Sequence, residues 1–277
     1  MGETGSEPSV IGGPELFFRY AQPPNRLGYC GPNRGDEIAV AASGDSLPFE
    51  EAVTLALAFD GAWPYLELIA RLTGRDPLSR SVVEAYWVGN ELLDQIDLHD
   101  WGHSISDRFK TRAGTRWPAV GEALNRGGSP THAFHVFCVY PWVGLLREGF
   151  SGPALEVLDR CRISVGKVVT CEGELAVVRR RPLIWEYDNL RLGAPIEEPF
   201  RATSDVHPGD VVSLHWDYIC QRLDPRQQQR LIGAHDQHLQ IANDELTRAR
   251  MEPAHREWTN HTTGTLEASP SGPTNPM

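Results

Sequence analysis

Along the first 160 residues apolar positions recur at helical spacing, and from residue 161 they fall into short β-branched runs separated by turns. The chain therefore predicts a helical half followed by a small β half. Pro14 opens a short helix over 15–21, with Leu16, Phe17 and Tyr20 on one face, and Pro23-Pro24 is expected to end it. The stretch from Asn25 to Asp36 is dense in Gly, Pro and Asn and predicts a compact loop, with Tyr29 and Cys30 tucked beneath the helices. Helices are expected over 50–59 and from Trp63 or Pro64 to Leu72, the second stopped by Gly74. Asp76-Pro77 reads as the cap of a long core helix over 78–96, which carries Val82, Val83, Tyr86, Trp87, Asn90, Leu93 and Ile96 on one stripe, with Asp94 at its edge. Further helices are expected over 105–112, 117–124, 133–146 with a kink at Pro141, and 154–160.

Beyond residue 160 strands are expected over 163–170, 174–180 and 183–187, the last returning through turn residues Asp188 and Asn189 into 190–196. After a turn at 206–210, one strand over 211–219 alternates Val212, Leu214, Trp216 and Tyr218 toward a core with Ser213, His215, Asp217 and Ile219 on the other face. Asp224-Pro225 caps a terminal helix to about Arg250. Residues 1–13 and 251–277 bury too little to fold and are expected to be disordered. The resulting class is α+β, with an all-α domain over 14–160, a small OB-like β-barrel with a C-terminal helix over 161–250, and a boundary near Gly149, Gly152 and Pro153.

Charge and cysteine usage narrow the function. With 26 basic against 37 acidic residues the formal charge is −11, which argues against binding a phosphate backbone. No apolar run reaches membrane-spanning length, and the first residues lack the basic and apolar regions of a signal peptide. Five cysteines without a CxxC pair suggest neither a disulfide framework nor a structural zinc site, and free thiols point to the cytoplasm. The paired glycines are turn punctuation, since none follows a strand and opens a helix as a phosphate-binding loop must.

At the seam lies Cys161-Arg-Ile-Ser-Val-Gly-Lys-Val168, and downstream Pro208-Gly-Asp-Val-Val-Ser-Leu-His215 is followed by a Leu- and Gln-containing helix. These segments resemble the Cys-x-x-x-x-Gly-Lys-Val opening and the Gly-Asp-x-Val-x-x-His strand of the HypC/HupF family, small β-barrel chaperones of nickel-iron hydrogenase maturation. The resemblance covers Cys161 to about Arg230 and departs from the family in two places, an internal cysteine in place of one after the initiator methionine and Val165 where a proline is usual. It implies a transiently bound iron centre carrying cyanide and carbon monoxide, with a hydrogenase large-subunit precursor and the iron-sulfur scaffold protein of maturation as partners. It also implies a carrier and not an enzyme.

In that reading Cys161 supplies a soft thiolate and His215 a neutral imidazole, both suited to low-spin iron. Arg160 and Arg162 are expected to favour the thiolate, and Asp217, two residues along the same face, to orient the His215 ring. The helical half offers a competing set: Glu84 and Glu91, His99 and His103, and His132 and His135, each pair on one helix face as in carboxylate and histidine metal or haem enzymes.

Overall fold

A computed structural model describes residues 11–45, 47–97, 99–102, 105, 117–147, 151–202 and 205–251. Helix α1, Gly13–Arg26, runs straight through Pro23-Pro24, where the sequence predicts a stop. A proline withdraws only its own N–H from the ladder, so close to the end of a helix it unpairs one carbonyl four residues back without breaking the turn. Helices α2 (Gly35–Ser43), α3 (Phe49–Leu57) and α4 (Trp63–Thr73) follow, the last closed by left-handed Gly74 as expected.

The long helix expected over 78–96 is instead eight residues, α5, Arg80–Trp87. Gly89 takes a positive φ and its N–H bonds back to the Glu84 carbonyl, which caps the helix, while the Asn90 amide reaches back to the Ser81 carbonyl in its first turn at 2.8 Å and holds the exiting chain against it. Asp94 thereby leaves the stripe and pairs with Arg230 at 2.8 Å. Helix α6 is Trp117–Asn125, while the helix expected over 105–112 falls almost wholly outside the described residues, as do the expected disordered ends except residues 11–13 and Met251, where Gly13 opens α1 and Met251 ends the terminal helix. The stretch read as one kinked helix over 133–146 is broken into α7 (His132–Phe134), a widened π turn over His135–Val139, and α8 (Trp142–Arg147). Helix α9, Ser151–Cys161, delivers the chain to the seam.

Seven strands follow: β1 Ser164–Glu172, β2 Leu175–Arg180, β3 Leu183–Glu186, β4 Asn189–Leu192, β5 Ile196–Ala202, β6 Val211–His215 and β7 Tyr218–Arg222. Five close into a barrel in the order β1-β2-β5-β7-β6, and β3-β4 stand apart as a hairpin, so the α+β reading with a small barrel holds. Three local readings change. The hairpin turns on Tyr187 and Asp188, both at positive φ, one residue earlier than expected. Strand β5 carries Glu197, Glu198 and Pro199, which hide it from a propensity reading, yet it pairs with β2 along its whole length. The strand expected over 211–219 is two, turning at Trp216-Asp217.

Barrel interior residues Val168, Ala176, Val178, Phe200, Val212, Leu214 and Ile219 form their own cluster. Gly166 faces it, and a Cβ there would lie 2.3 Å from Val178, so the Gly of the Gly-Lys-Val segment is demanded by barrel packing. A second, larger cluster runs from α1 through α5 and α9 to Ile163, Trp216, Cys220 and the long helix α10, Pro225–Met251, continuous across the seam. No helix among the described residues is long and apolar enough to cross a membrane.

Asp159 pins the seam. Its carboxylate is nearly buried and accepts from Arg162 at 3.0 Å, Arg180 at 2.8 Å and the Leu183 amide at 2.7 Å. Burial alone would raise this carboxyl, but the two guanidinium groups and the amide hold it below its usual range. Arg162 also donates to His235 of α10 at 3.1 Å and to the Arg181 carbonyl at 2.6 Å. Asp159→Ala would leave the buried Arg162 guanidinium without a carboxylate and Arg180 with Glu198 alone, at 2.7 Å. The expected loss is about 3–5 kcal/mol in urea unfolding, against under about 1 kcal/mol for removing the exposed Arg179–Glu197 pair; equal effects from the two changes would refute the assigned role.

Candidate metal centre

Strand register brings the two ends of the proposed site together. Antiparallel β1 and β6 pair Ser164 with Leu214 and Val165 with Ser213, so the chain just before β1 runs beside the chain just after Leu214. The turn residue Trp216, held at φ +56°, donates its N–H to the Arg160 carbonyl at 2.7 Å, hooking the β6–β7 turn onto the end of α9. Cys161 and His215 consequently line the same cavity.

His215 leaves the barrel interior, as alternation requires, but enters the interface with the helices and not solvent; it is 1% exposed. Its Nδ1 lies 2.6 Å from the Tyr20 carbonyl. That carbonyl has no helical donor, because the residue four positions on is Pro24. An acceptor at this distance places the proton on Nδ1, leaving the Nε2 lone pair turned inward, and Nε2 has no hydrogen-bond partner among the described residues. The Cys161 carbonyl faces the same region without completing a hydrogen bond to it. On the same strand face Ser213 and Tyr20 share a 2.7 Å hydrogen bond, fixing β6 to α1.

The helical half adds a third donor. His132, the first residue of α7, stands with its ring 5.2 Å from that of His215, and its Nε2 lies 3.9 Å from the Cys161 sulfur and 2.9 Å from the Cys161 carbonyl. One donor atom from each of His132, Cys161 and His215 can be chosen so that all lie within 4.8 Å of one another, and all three residues are buried. The cavity beside them measures about 190 Å³ and is walled chiefly by apolar and aromatic groups, among them Phe59, Tyr86, Trp87, Tyr140 and Trp216. The Tyr29 ring stacks on Trp216 at 4.5 Å and Cys30 reaches the cavity from the same loop, so the Gly-rich stretch forms part of the wall.

Burial governs the charge state. It lowers His132 to about 4 and carries His215 well below its ordinary value, with the neighbouring imidazole lowering His215 further and the backbone acceptors pulling it back. It pushes the Cys161 thiol well up and Cys30 up to about 12. The expectation that Arg160 and Arg162 favour the thiolate fails, because Arg160 pairs with Glu198 at 3.3 Å and Arg162 is spent on Asp159 and His235. The centre is thus neutral, with two imidazoles and a protonated thiol. A cation entering it would itself have to displace the thiol proton.

The other candidates scatter. Asp217 sits in the β6–β7 turn, exposed and 4.0 Å from Arg201, so it does not share the His215 face; the turn reverses the chain before alternation can place it there. Glu84 accepts from Gln227 at 3.1 Å, Glu91 is exposed, and His99 lies at the surface with Asp97 and Asp100. His103 lies outside the described residues. Of the helical set only His132 and His135 reach the cavity, His135 with its Nδ1 3.0 Å from the Tyr65 hydroxyl. Tyr86, whose hydroxyl lies 3.1 Å from His132 Nδ1, was not legible as part of the site, since a tyrosine on a helical stripe reads as core.

Four buried histidines, His132, His215, His235 and His238, are lowered in the folded chain chiefly by burial, His238 also to about 4. Unfolded, each would take up a proton near pH 6.5. Their stabilisation is therefore complete above that value and drains as pH falls toward the folded values, by up to about 1.4 kcal/mol per pH unit for each histidine. Urea midpoints of the metal-free protein should fall steadily between pH 7 and pH 5. A flat profile across that window would show that these side chains are not neutral and buried.

No curated protein and no solved structure matches this chain. A family profile does match, over residues 9–249, and so takes in α1 through almost all of α10, the barrel and all three donors of the centre. The chain accordingly belongs to DUF6390, a family of unknown function.

Proposed function

We propose that this protein is a carrier in nickel-iron hydrogenase maturation, which holds an iron centre bearing cyanide and carbon monoxide between Cys161 and His215 and passes it to a large-subunit precursor. The observation that carries the proposal is the convergence of these two residues, fifty-four positions apart, on one buried cavity. They are the two positions that the HypC/HupF resemblance marks, and thiolate with neutral imidazole is a donor pair suited to a soft low-spin iron. The iron complex is cargo, received from the iron-sulfur scaffold protein, and in this reading the chain catalyses no reaction.

Each residue has a task. Tyr20, through its open carbonyl, keeps the proton of His215 on Nδ1 and the Nε2 lone pair available. Cys161 gives its proton to solvent as the sulfur binds, so loading is favoured by rising pH. The aromatic wall excludes water from the diatomic ligands. Because Cys161 closes α9 instead of standing at a free terminus, cargo must leave through the wall, where the half-exposed Tyr29 covers Trp216.

The test is anaerobic co-expression with the maturation scaffold protein, followed by iron analysis and infrared spectroscopy. Wild-type protein is expected to carry about one iron with cyanide and carbon monoxide bands. Cys161→Ser should abolish both, because a hydroxyl is a far poorer soft-metal donor, and His215→Ala should diminish them by roughly 10-fold or more. Iron and bands retained in full by Cys161→Ser would overturn the proposal.

A further inference from the structure

We infer that the helical half supplies a ligand of its own: His132 is the third donor to the ion held by Cys161 and His215, binding through Nε2 after a change of tautomer that Tyr86 accommodates. This rests on the reading that Cys161 and His215 hold a metal, but not on the identity of the cargo.

In the structure Nε2 of His132 faces the Cys161 carbonyl at 2.9 Å, and a carbonyl can only accept, so Nε2 carries the proton. Nδ1 must then accept, and its neighbour at 3.1 Å is the Tyr86 hydroxyl, which can donate. To bind a metal, Nε2 must become the bare nitrogen and Nδ1 the protonated one. For most buried histidines that exchange would set two donors against each other. Here the Tyr86 hydroxyl has a second acceptor, the Gly61 carbonyl at 3.3 Å. It can turn its O–H to Gly61 and accept from Nδ1–H, so both tautomers of His132 are satisfied by the same tyrosine.

Distances favour the step. Metal–nitrogen and metal–sulfur bonds of about 2.0 and 2.3 Å hold neighbouring donors roughly 3–3.6 Å apart. One nitrogen of each histidine and the Cys161 sulfur lie within 4.8 Å of one another, and Cys161 sulfur to His132 Nε2 is 3.9 Å, so closing on an ion takes side-chain movements on the order of 1 Å at the start of α7, the end of α9 and the end of β6. The proton balance is simple. His132 stays neutral, its proton appearing on Nδ1 in place of Nε2; Cys161 releases one proton to solvent; no electron is transferred. The carbonyl of Cys161 loses a donor, which a carbonyl tolerates better than an N–H.

The consequence is a division of labour. The barrel alone offers two donors, and the site is complete only when α7 lies against the seam, so the helical half takes part in binding and does not merely cover it.

The probe is Co(II) added anaerobically to the full chain. Expected are a thiolate-to-cobalt charge-transfer band, lost in Cys161→Ser, and ligand-field bands that change in His132→Gln, with affinity weakened by more than about 100-fold. Tyr86→Phe, a milder change should the glutamine variant fold poorly, should weaken binding by roughly 10-fold while keeping the charge-transfer band. Nitrogen-15 spectra of the histidine rings should place the His132 proton on Nε2 in free protein and on Nδ1 in loaded protein. Unchanged affinity and ligand-field bands in a folded His132→Gln variant, or a proton still on Nε2 in the loaded protein, would overturn the inference. Absence of any thiolate band in wild type would overturn the whole centre, whereas cobalt bound by all three donors together with no cyanide or carbon monoxide bands after co-expression would remove only the cargo assignment.

Discussion

The Asp159 carboxylate is the constraint on which the arrangement depends. It lies two residues before Cys161, almost out of reach of water, and satisfies two guanidinium groups and a backbone amide drawn from the seam, β2 and β3. A buried carboxylate is tolerable only with such compensation, so its partners cannot drift independently. Through Arg162 the same network reaches His235 on α10. Helix, barrel and terminal helix are thus locked around the point where Cys161 emerges, and the sulfur inherits a fixed position.

Around that fixed sulfur the chemistry is set by burial more than by charge. Among the described residues no cationic side chain holds Cys161 as a thiolate, and burial favours the neutral form of both imidazoles. In the proposed function such a pocket would keep its donors inactive until a cation arrives and would then bind it strongly, because the thiolate would form in a poorly screened, apolar surrounding. Placing the centre between two structural units, instead of on the barrel surface, couples binding to how the helices sit against β6. Proline supplies an unexpected part of this coupling: Pro24 leaves the Tyr20 carbonyl unpaired within α1, and His215 takes it.

The local elements differ from expectation wherever a side chain or a distant strand overrules propensity. Pro23-Pro24 did not stop α1, because the turn survives the loss of two donors near its end. Gly89 cut the long helix at Trp87, because its left-handed conformation turns the chain and returns its N–H to the Glu84 carbonyl. Strand β5 was invisible because only Phe200 among its residues is fully buried, with the small Ala202 packed partly against the same core, and its stability comes from pairing with β2.

By itself the sequence determined the change from helical to β character at Cys161, the inward alternation of Val212 and Leu214 and the turn at Gly209, since these follow from periodicity and from backbone conformations that few residues accept. It also marked Cys161 and His215. What it could not contain was their company. His132 and Tyr86 stand 29 and 75 residues before Cys161 in the chain, one read as a doubtful helical pair with His135 and the other as core, and only packing of α5 and α7 against the seam sets them beside the sulfur. Asp217 showed the converse, only two positions beyond His215 in sequence and carried away from it by a two-residue turn. Side-chain chemistry is written residue by residue, but which donors share a cavity depends on long-range burial and strand register, and these only the tertiary structure decided.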